Sequence, residues 1–203
     1  MKTYMGVSAG FHDAGVSVIN DNGDILFAGH SERYSKVKND ATLNEGIISA
    51  ALEYGDPDVI AWYERPWLKK TRQLYSGEWR KAFSELSPRK QLTPYFDNML
   101  LSSPGVDSNP TRTMQYHSHH LSHAAAGFQT SPFDRAIVVV VDAIGEWDTY
   151  SVYEASYEPI CGFVKYKPLM RQRYPHSLGL FYSAMTQRAG LKPMEEEYIL
   201  MGM

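Results

Sequence analysis

The N-terminal part of the chain combines strand-like and helix-like hydrophobic patterns. Three strands are predicted between residues 4 and 31, and Asn22-Gly23 is a strong signal for a hairpin turn between the second and the third. Apolar residues at helical spacing then predict a helix over 43–54. The apolar run over 59–63 predicts a buried strand, so this part of the chain is expected to form a mixed α/β structure.

After residue 66 the chain shows helical patterns first and strand patterns later. Two or three helices are predicted over 67–101, followed by a surface loop rich in Ser, Pro and Asn over 102–111. The run Ile137 to Val141 predicts a fully buried strand that ends at Asp142. Two more strands and an amphipathic helix are expected after it, over 148–154, 162–167 and 177–189.

Histidines are concentrated in one short stretch. Four of the seven histidines lie between Tyr116 and His123. Ser118 is a residue type that caps helix N-termini, and the apolar residues after it are spaced as on one helix face. On such a helix His119 and His123 are four positions apart, so their imidazoles project from the same face. Neutral imidazole commonly binds transition metals, and this pair predicts two coordination positions.

A third ligand is needed, because two histidines do not hold a metal firmly. Asp142 is the candidate, since a carboxylate at the C-terminal end of a buried strand is well placed to line a crevice. Each piece also has a simpler interpretation. A His pair at this spacing more often packs than binds metal, and an Asp after a strand often only forms a turn. His117 and His120 are expected on other faces of the helix, solvated or packed.

Composition and charge narrow the class of protein. The chain has 203 residues, 20 Lys and Arg against 23 Asp and Glu, and a formal net charge of −3. It has no basic block of the kind that follows a phosphate backbone, so nucleic acid is not an expected partner. The single Cys161 excludes an intramolecular disulfide and is expected to be a small packed residue. Without a signal pattern or a membrane-length apolar run, the chain is expected to be soluble and cytoplasmic, with no membrane partner.

Ordered sequence blocks then point to one family. The blocks span residues 6–8, 12–13, 32–34, 64–66, 119–125, 131–133, 142–147, 175–186 and 197–202. Together they resemble the O-carbamoyltransferases of nodulation-factor and antibiotic biosynthesis, a family that also occurs in phages. The resemblance implies an actin/Hsp70/sugar-kinase-like (ribonuclease H-like) ATPase fold, with residues 1–203 as an N-terminal carbamoyltransferase domain. Residues 67–101 correspond to its variable helical insertion.

The resemblance assigns roles to particular residues. His119, His123 and Asp142 would hold a divalent metal, iron by resemblance to the family. His12 and Lys38 would contact the carbamoyl or phosphate end of the intermediate as catalytic residues. Lys38 is the weaker assignment, because this chain departs from the family pattern around it, at Ser31, Asn39 and Thr42-Leu43.

Three further residues are candidates for cofactor binding. Gly145 and the adjacent Glu146 form a turn where a small residue permits close backbone approach to a ligand. Ser177 is expected to cap the helix over 177–189, and a helix N-terminus is a possible anion site.

The implied reaction is transfer of a carbamoyl group to a hydroxyl of a sugar or nucleoside-type acceptor. The donor would be carbamoyl-adenylate, made from ATP and carbamoyl phosphate. The chain resembles only about the first third of these proteins, so a missing C-terminal part or a complementing chain is expected, and the isolated chain is expected to be inactive. The alternatives are a non-catalytic or split-gene subunit and a tRNA threonylcarbamoyl-transfer-like protein. The block over 175–186 and the lack of a basic surface argue against the tRNA-modifying class.

Overall fold

A computed structural model describes residues 2–96, 113–159 and 162–203. The loop predicted over 102–111, the end of the helical insertion and Cys161 lie outside the described residues. The chain divides into two compact units, Met1–His117 and Ser118–Met203. Among the described residues, none of the helices has the length and apolar character that a membrane crossing requires.

The first unit contains a five-stranded mixed sheet in the order β3-β2-β1-β4-β5. The strands are β1 (Thr3–Ser8), β2 (Gly15–Asn20), β3 (Ile25–His30), β4 (Val59–Trp62) and β5 (Thr113–Tyr116). The first three pair antiparallel, and β4 and β5 continue the sheet in parallel with β1. Gly23 has a φ of 84°, which confirms the hairpin turn predicted between β2 and β3.

The first unit has two helices before β4, and further helices in the predicted insertion between β4 and β5. They are α1 (Glu32–Ser35), α2 (Glu45–Leu52), α3 (Pro66–Tyr75), α4 (Trp79–Ser84), α5 (Pro88–Leu92) and a 3-10 turn (Thr93–Tyr95). Asn44 caps α2 by accepting the Ile47 N–H at 3.1 Å, so this helix begins two residues later than the pattern predicts. Two or three helices are predicted after residue 66, and the described part of that segment contains α3, α4 and α5.

The core of the first unit lies between its sheet and α2. Met5, Val18, Ile47 and Ile60 are fully buried, and Trp62 at the end of β4 is 1% exposed. Alternating strand residues supply one side of this core and the helical stripe of α2 supplies the other, as the periodicities predict.

Within its described residues, the second unit contains a three-stranded antiparallel sheet, in the order β6-β7-β8, and three helices. Its elements are α6 (His119–Gln129), β6 (Arg135–Gly145), β7 (Asp148–Tyr157), β8 (Val164–Arg173), α7 (Leu178–Arg188) and α8 (Glu197–Met201). Ala124 of α6 packs with Val140 of β6 and Tyr153 of β7 in a small core. The helix that carries the His pair is therefore held against the strand that carries Asp142.

The prediction of a fully buried strand ending at Asp142 is wrong. The strand β6 continues to Gly145, and Ile137, Val139 and Val141 are 59%, 53% and 51% exposed. In an antiparallel sheet covered on one face, successive residues alternate between the core and the open face. Val140 therefore lies inside at 6% exposure while its apolar neighbours lie outside. A continuous apolar run does not by itself distinguish this arrangement from burial on both faces.

Candidate metal centre

The N-terminus of α6 positions the first histidine of the candidate site. Ser118 occupies the N-cap position, as predicted, but its side chain makes no capping hydrogen bond. The Glu146 carboxylate instead accepts the His119 N–H at 3.3 Å. Glu146 is only 4% exposed and has a φ of 58°, so the turn after β6 is shaped to bring its carboxylate to the helix. A negative charge at this end also suits the helix dipole.

The His pair projects from one face of α6, as its spacing predicts. His119 Nε2 and His123 Nε2 lie 3.1 Å apart. The His119 side chain is 16% exposed, whereas His123 is an exposed residue at the surface of the unit. The two nitrogens are thus near enough to each other to bind one cation together.

Asp142 completes the cluster from β6. Its Oδ2 lies 3.1 Å from His119 Nε2, while Oδ1 accepts the Ala143 N–H at 2.7 Å. The ligating atoms of His119, His123 and Asp142 all lie within 4.8 Å of one another. This confirms the prediction that the three side chains converge on one point.

Two of the spacings in the cluster suit a bound divalent cation. Metal–ligand bonds of about 2.0 to 2.1 Å, at angles of about 90° to 110°, place neighbouring ligand atoms about 2.8 to 3.4 Å apart. His119 Nε2 lies 3.1 Å from both His123 Nε2 and Asp142 Oδ2, whereas the whole set spans up to 4.8 Å, so a bound cation would draw the outer two ligands together. Asp142 Oδ2 is buried and has no well-aligned hydrogen-bond donor among the described residues, although His119 Nε2 is close. A cation would satisfy this oxygen and both nitrogens together. Two imidazoles and one carboxylate also leave coordination positions open to a substrate.

The charge state of the cluster favours metal binding at neutral pH. Burial opposes ionisation of Asp142, but the nearby His119 and His123 and the Ala143 N–H outweigh it and keep the pKa of this carboxyl below its ordinary value. Burial, reinforced by His119, also lowers the pKa of His123. Asp142 is therefore ionised and His123 neutral at pH 7, which are the forms that ligate.

We expect metal affinity to change little between pH 8 and pH 7 and to fall at more acidic pH, where protons compete for imidazole, whose ordinary pKa is about 6.5. The lowered pKa of His123 moves this competition to more acidic pH than for an ordinary histidine. Titration of the chain with Zn²⁺ at several pH values measures the effect. A loss of affinity already between pH 8 and pH 7 would contradict it.

His120 is the residue of this stretch whose importance the sequence does not reveal. It is fully buried, its Nδ1 lies 2.8 Å from Ser151 Oγ, and its Nε2 lies 3.9 Å from Asp142 Oδ2. Burial lowers the pKa of His120, so the ring is neutral. Of the two outcomes expected for it, solvated or packed, the packed one is correct. It forms the inner wall behind Asp142.

Gly145 makes room for the histidine rings. A Cβ at this position would lie 2.4 Å from His119 Cδ2 and 2.8 Å from His120 Cδ2, so no other residue fits without displacing them. The close approach expected at Gly145 was to a ligand, whereas the one observed is to these two histidine side chains. Cofactor binding by Gly145 and Glu146 stays a prediction.

Ser177 caps α7, as predicted. Its Oγ accepts the Leu180 N–H at 3.0 Å and donates to the Ala143 carbonyl at 2.6 Å. Gly179 lies so close to Ala143 that a Cβ there would be 2.6 Å from the Ala143 Cα. These contacts fix the start of α7 against the segment that follows Asp142. A role of Ser177 in anion binding stays a prediction.

His12 and Lys38 belong to the first unit. His12 lies in the loop between β1 and β2, where its side chain is 57% exposed and its Nδ1 is 2.9 Å from Asp13 Oδ2. Lys38 is exposed in the turn that follows α1. Their catalytic roles, and the expectation that His12 faces the same crevice as Asp142, stay predictions.

Comparison with known proteins gives a consistent family signal. Residues 3–203 match the family model described as carbamoyltransferase N-terminus. An uncharacterized protein of Synechocystis sp. is 30% identical over 218 residues, which cover 100% of this chain and 34% of that protein. The nodulation protein NolNO of Sinorhizobium fredii is 27% identical over 200 residues, covering 95% of this chain and 27% of its own. An uncharacterized protein of Methanocaldococcus jannaschii is 25% identical over 186 residues, covering 92% of this chain and 30% of that protein. This chain thus spans about a third of the length of these curated relatives.

Proposed function

Because the chain belongs to the family of carbamoyltransferase N-terminal domains, we propose that it is the metal-holding part of an O-carbamoyltransferase. The observation that carries this proposal is the cluster of His119, His123 and Asp142, whose ligating atoms lie within 4.8 Å of one another. The family match supports a transferase, and the donor set of this cluster suits a divalent metal, which we propose to be iron. A metal bound there would supply Lewis acidity and a template for phosphate oxygens.

In the proposed reaction, the oxygen of an acceptor hydroxyl attacks the carbamoyl carbon of carbamoyl-adenylate. The new C–O bond forms as the bond from that carbon to the phosphate oxygen breaks, and AMP leaves with the bonding electron pair. The hydroxyl proton passes to a base or to solvent. By resemblance to the family, His119, His123 and Asp142 would hold the divalent metal, and His12 and Lys38 would contact the carbamoyl or phosphate end of the donor. Holding the two reactants close together and correctly oriented supplies a large part of the rate enhancement of such transfers.

The five-stranded order β3-β2-β1-β4-β5 is compatible with the actin-like ATPase fold that we propose for the family. The proposed donor is made from ATP and carbamoyl phosphate, and the acceptor is a sugar or nucleoside-type alcohol. We further propose a cytoplasmic protein that works with a longer polypeptide or a complementing chain.

The assay of this function uses the chain loaded with Fe²⁺ and supplied with ATP, carbamoyl phosphate and candidate alcohols. It is run on the 203-residue chain and on the chain mixed with the polypeptides encoded beside it. Carbamoylated product, detected by mass spectrometry, supports the transferase. If the metal-loaded chain yields no product, either alone or mixed with those polypeptides, the result favours the interpretation as a non-catalytic subunit.

In the mixture that yields product, His12→Ala is expected to reduce transfer at least about a hundredfold, because misplacing a reacting group by about 1 Å costs that much. The fold should be unaffected, since the His12 side chain is 57% exposed on a loop. The measurement is the initial rate of product formation, with circular dichroism as the check on folding. His30→Ala, at an exposed histidine of β3, is the matched control and should retain the wild-type rate. Equal rates for both variants would remove His12 from the proposed site.

A further inference from the structure

The first unit contains a cavity that none of the roles above uses. Its volume is about 390 Å³, within the range of about 300 to 1,000 Å³ that is usual for small-molecule sites. The loop after β1, the segment 41–43 and the helices α3 and α5 surround it. Its apolar walls come from Leu43, Trp62, Pro66, Leu86, Pro88 and Pro94.

One side of this cavity carries a buried ionic triad. The Lys69 side chain is 10% exposed and lies between Glu64 and Glu85, with Nζ to carboxylate distances of 3.1 and 3.2 Å. Gln73 donates its amide N–H to Glu85 at 2.8 Å and is itself 2% exposed. Burying these charged groups costs desolvation free energy, and apolar side chains of similar size would fill the same space without that cost. The triad therefore presents acceptor oxygens and an ammonium group held in fixed positions, an arrangement suited to the hydroxyl groups of a polyol.

Two more lysines line the cavity without being part of the triad. Lys70 is half-buried and Lys90 is exposed, and neither has a carboxylate partner among the residues that the structure describes. With three lysines against two glutamates, the lining carries a net positive charge. An ammonium group binds phosphate oxygens well as a point charge. The cavity thus combines a hydroxyl-binding wall with positive charge suited to an anion.

The cavity also adjoins the loop that carries His12. Gly10 lines it. The ring centroid of the next residue, Phe11, is 5.8 Å from Lys69 Nζ and 4.7 Å from that of His12. The loop that carries His12, the residue assigned to the carbamoyl end of the donor, therefore borders the cavity.

From these contacts we propose that the cavity binds the acceptor, and that the acceptor is a phosphorylated polyol, a sugar or nucleoside monophosphate. The sugar hydroxyls contact Glu64, Lys69 and Glu85, and the phosphate contacts Lys70 and Lys90. Only the role of this molecule as acceptor rests on the proposed transferase function; its binding does not.

The test measures binding to the ¹⁵N-labelled chain by NMR titration, with glucose 6-phosphate and uridine 5′-monophosphate as probes. Glucose and inorganic phosphate are the comparison ligands. We expect at least one sugar phosphate to bind at least about tenfold more tightly than either comparison ligand, and to shift the amide signals of Gly10 and Thr42, which line the cavity. Failure of both probes to bind the folded chain would overturn the proposal. Equal binding of glucose or of inorganic phosphate would also overturn it.

Variants test which lysines bind the phosphate, and whether binding in the cavity is independent of the metal centre. Lys70→Gln with Lys90→Gln should weaken binding of the tighter probe about tenfold or more and abolish its advantage over the neutral sugar. Arg89→Gln removes a neighbouring exposed charge that does not line the cavity, and it should leave the affinity unchanged. His119→Ala should also leave it unchanged. Sugar phosphate binding with no carbamoyl transfer, either by the chain alone or by the chain mixed with the polypeptides encoded beside it, would contradict the proposed function alone. Transfer to an alcohol that does not bind in the cavity would contradict this inference alone.

Discussion

Replacing His123 with alanine is expected to lower the affinity for a divalent cation by about a hundredfold or more. His123 supplies one of three ligands, and changes to residues behind the ligands already cost about 10- to 100-fold at metal sites. The substitution should not disturb the fold, because His123 is exposed and alanine is the better helix former. Asp142→Asn should have a similar effect, since it removes the negative charge that both imidazoles face.

Competition titration with Zn²⁺ and a chromophoric chelator measures this loss. His117→Ala is the matched control, because His117 belongs to the same histidine-rich stretch but lies outside the cluster. It should bind Zn²⁺ as the wild type does. Wild-type affinity in His123→Ala, or an equal loss in His117→Ala, would show that the cluster is not the binding site.

Substituting Gly145 with alanine is expected to weaken metal binding about as strongly as His123→Ala does, although Gly145 is not one of the three ligands. The added Cβ would lie 2.4 Å from His119 Cδ2, well inside van der Waals contact. The His119 ring must then move away from Asp142 and His123, or β6 must shift. Overpacking of this kind also destabilises a folded protein by about 1 to 3 kcal/mol.

Gly127→Ala is the control for this second variant. Gly127 lies on α6, and a Cβ there would meet no atom within 4 Å. It should retain the metal and be stabilised by up to about 1 kcal/mol, because alanine favours the helix over glycine. Thermal unfolding and Zn²⁺ titration are measured for both variants. The double substitution Gly145→Ala with His119→Ala should recover part of the stability without recovering metal affinity, because the contact of the added Cβ with His120 remains. Wild-type metal affinity in Gly145→Ala would refute the packing argument.

The sequence alone determines the parts of this protein that depend on local geometry. The position of α6 follows from Ser118 and the apolar spacing after it, and the common face of His119 and His123 follows from the helical repeat. The hairpin at Gly23 and the capping of α7 by Ser177 are local in the same sense, since a few neighbouring residues determine each. These predictions are confirmed because no distant partner is needed to satisfy them.

Two of the local predictions fail where distant residues compete. Ser118 holds the N-cap position but makes no capping hydrogen bond, and the first N–H of the helix, that of His119, is accepted by the buried Glu146 carboxylate of the turn after β6. The valine-rich run of β6 is half-exposed, because the described sheet has a helix-covered face and an open one. Hydrophobicity along a strand records how apolar its residues are, whereas burial depends on what packs on each face.

Only the tertiary structure brings Asp142 to the His pair and explains why glycine is required at position 145. Asp142 lies 19 residues beyond His123 in the chain, and its approach depends on α6 packing against β6 through Ala124 and Val140. The cavity beside the His12 loop has the same origin, since Lys69 meets Glu64 and Glu85 only after α3 and the segment following α4 have folded together. A linear pattern specifies which side chains share an element, whereas contacts between elements depend on how their surfaces pack.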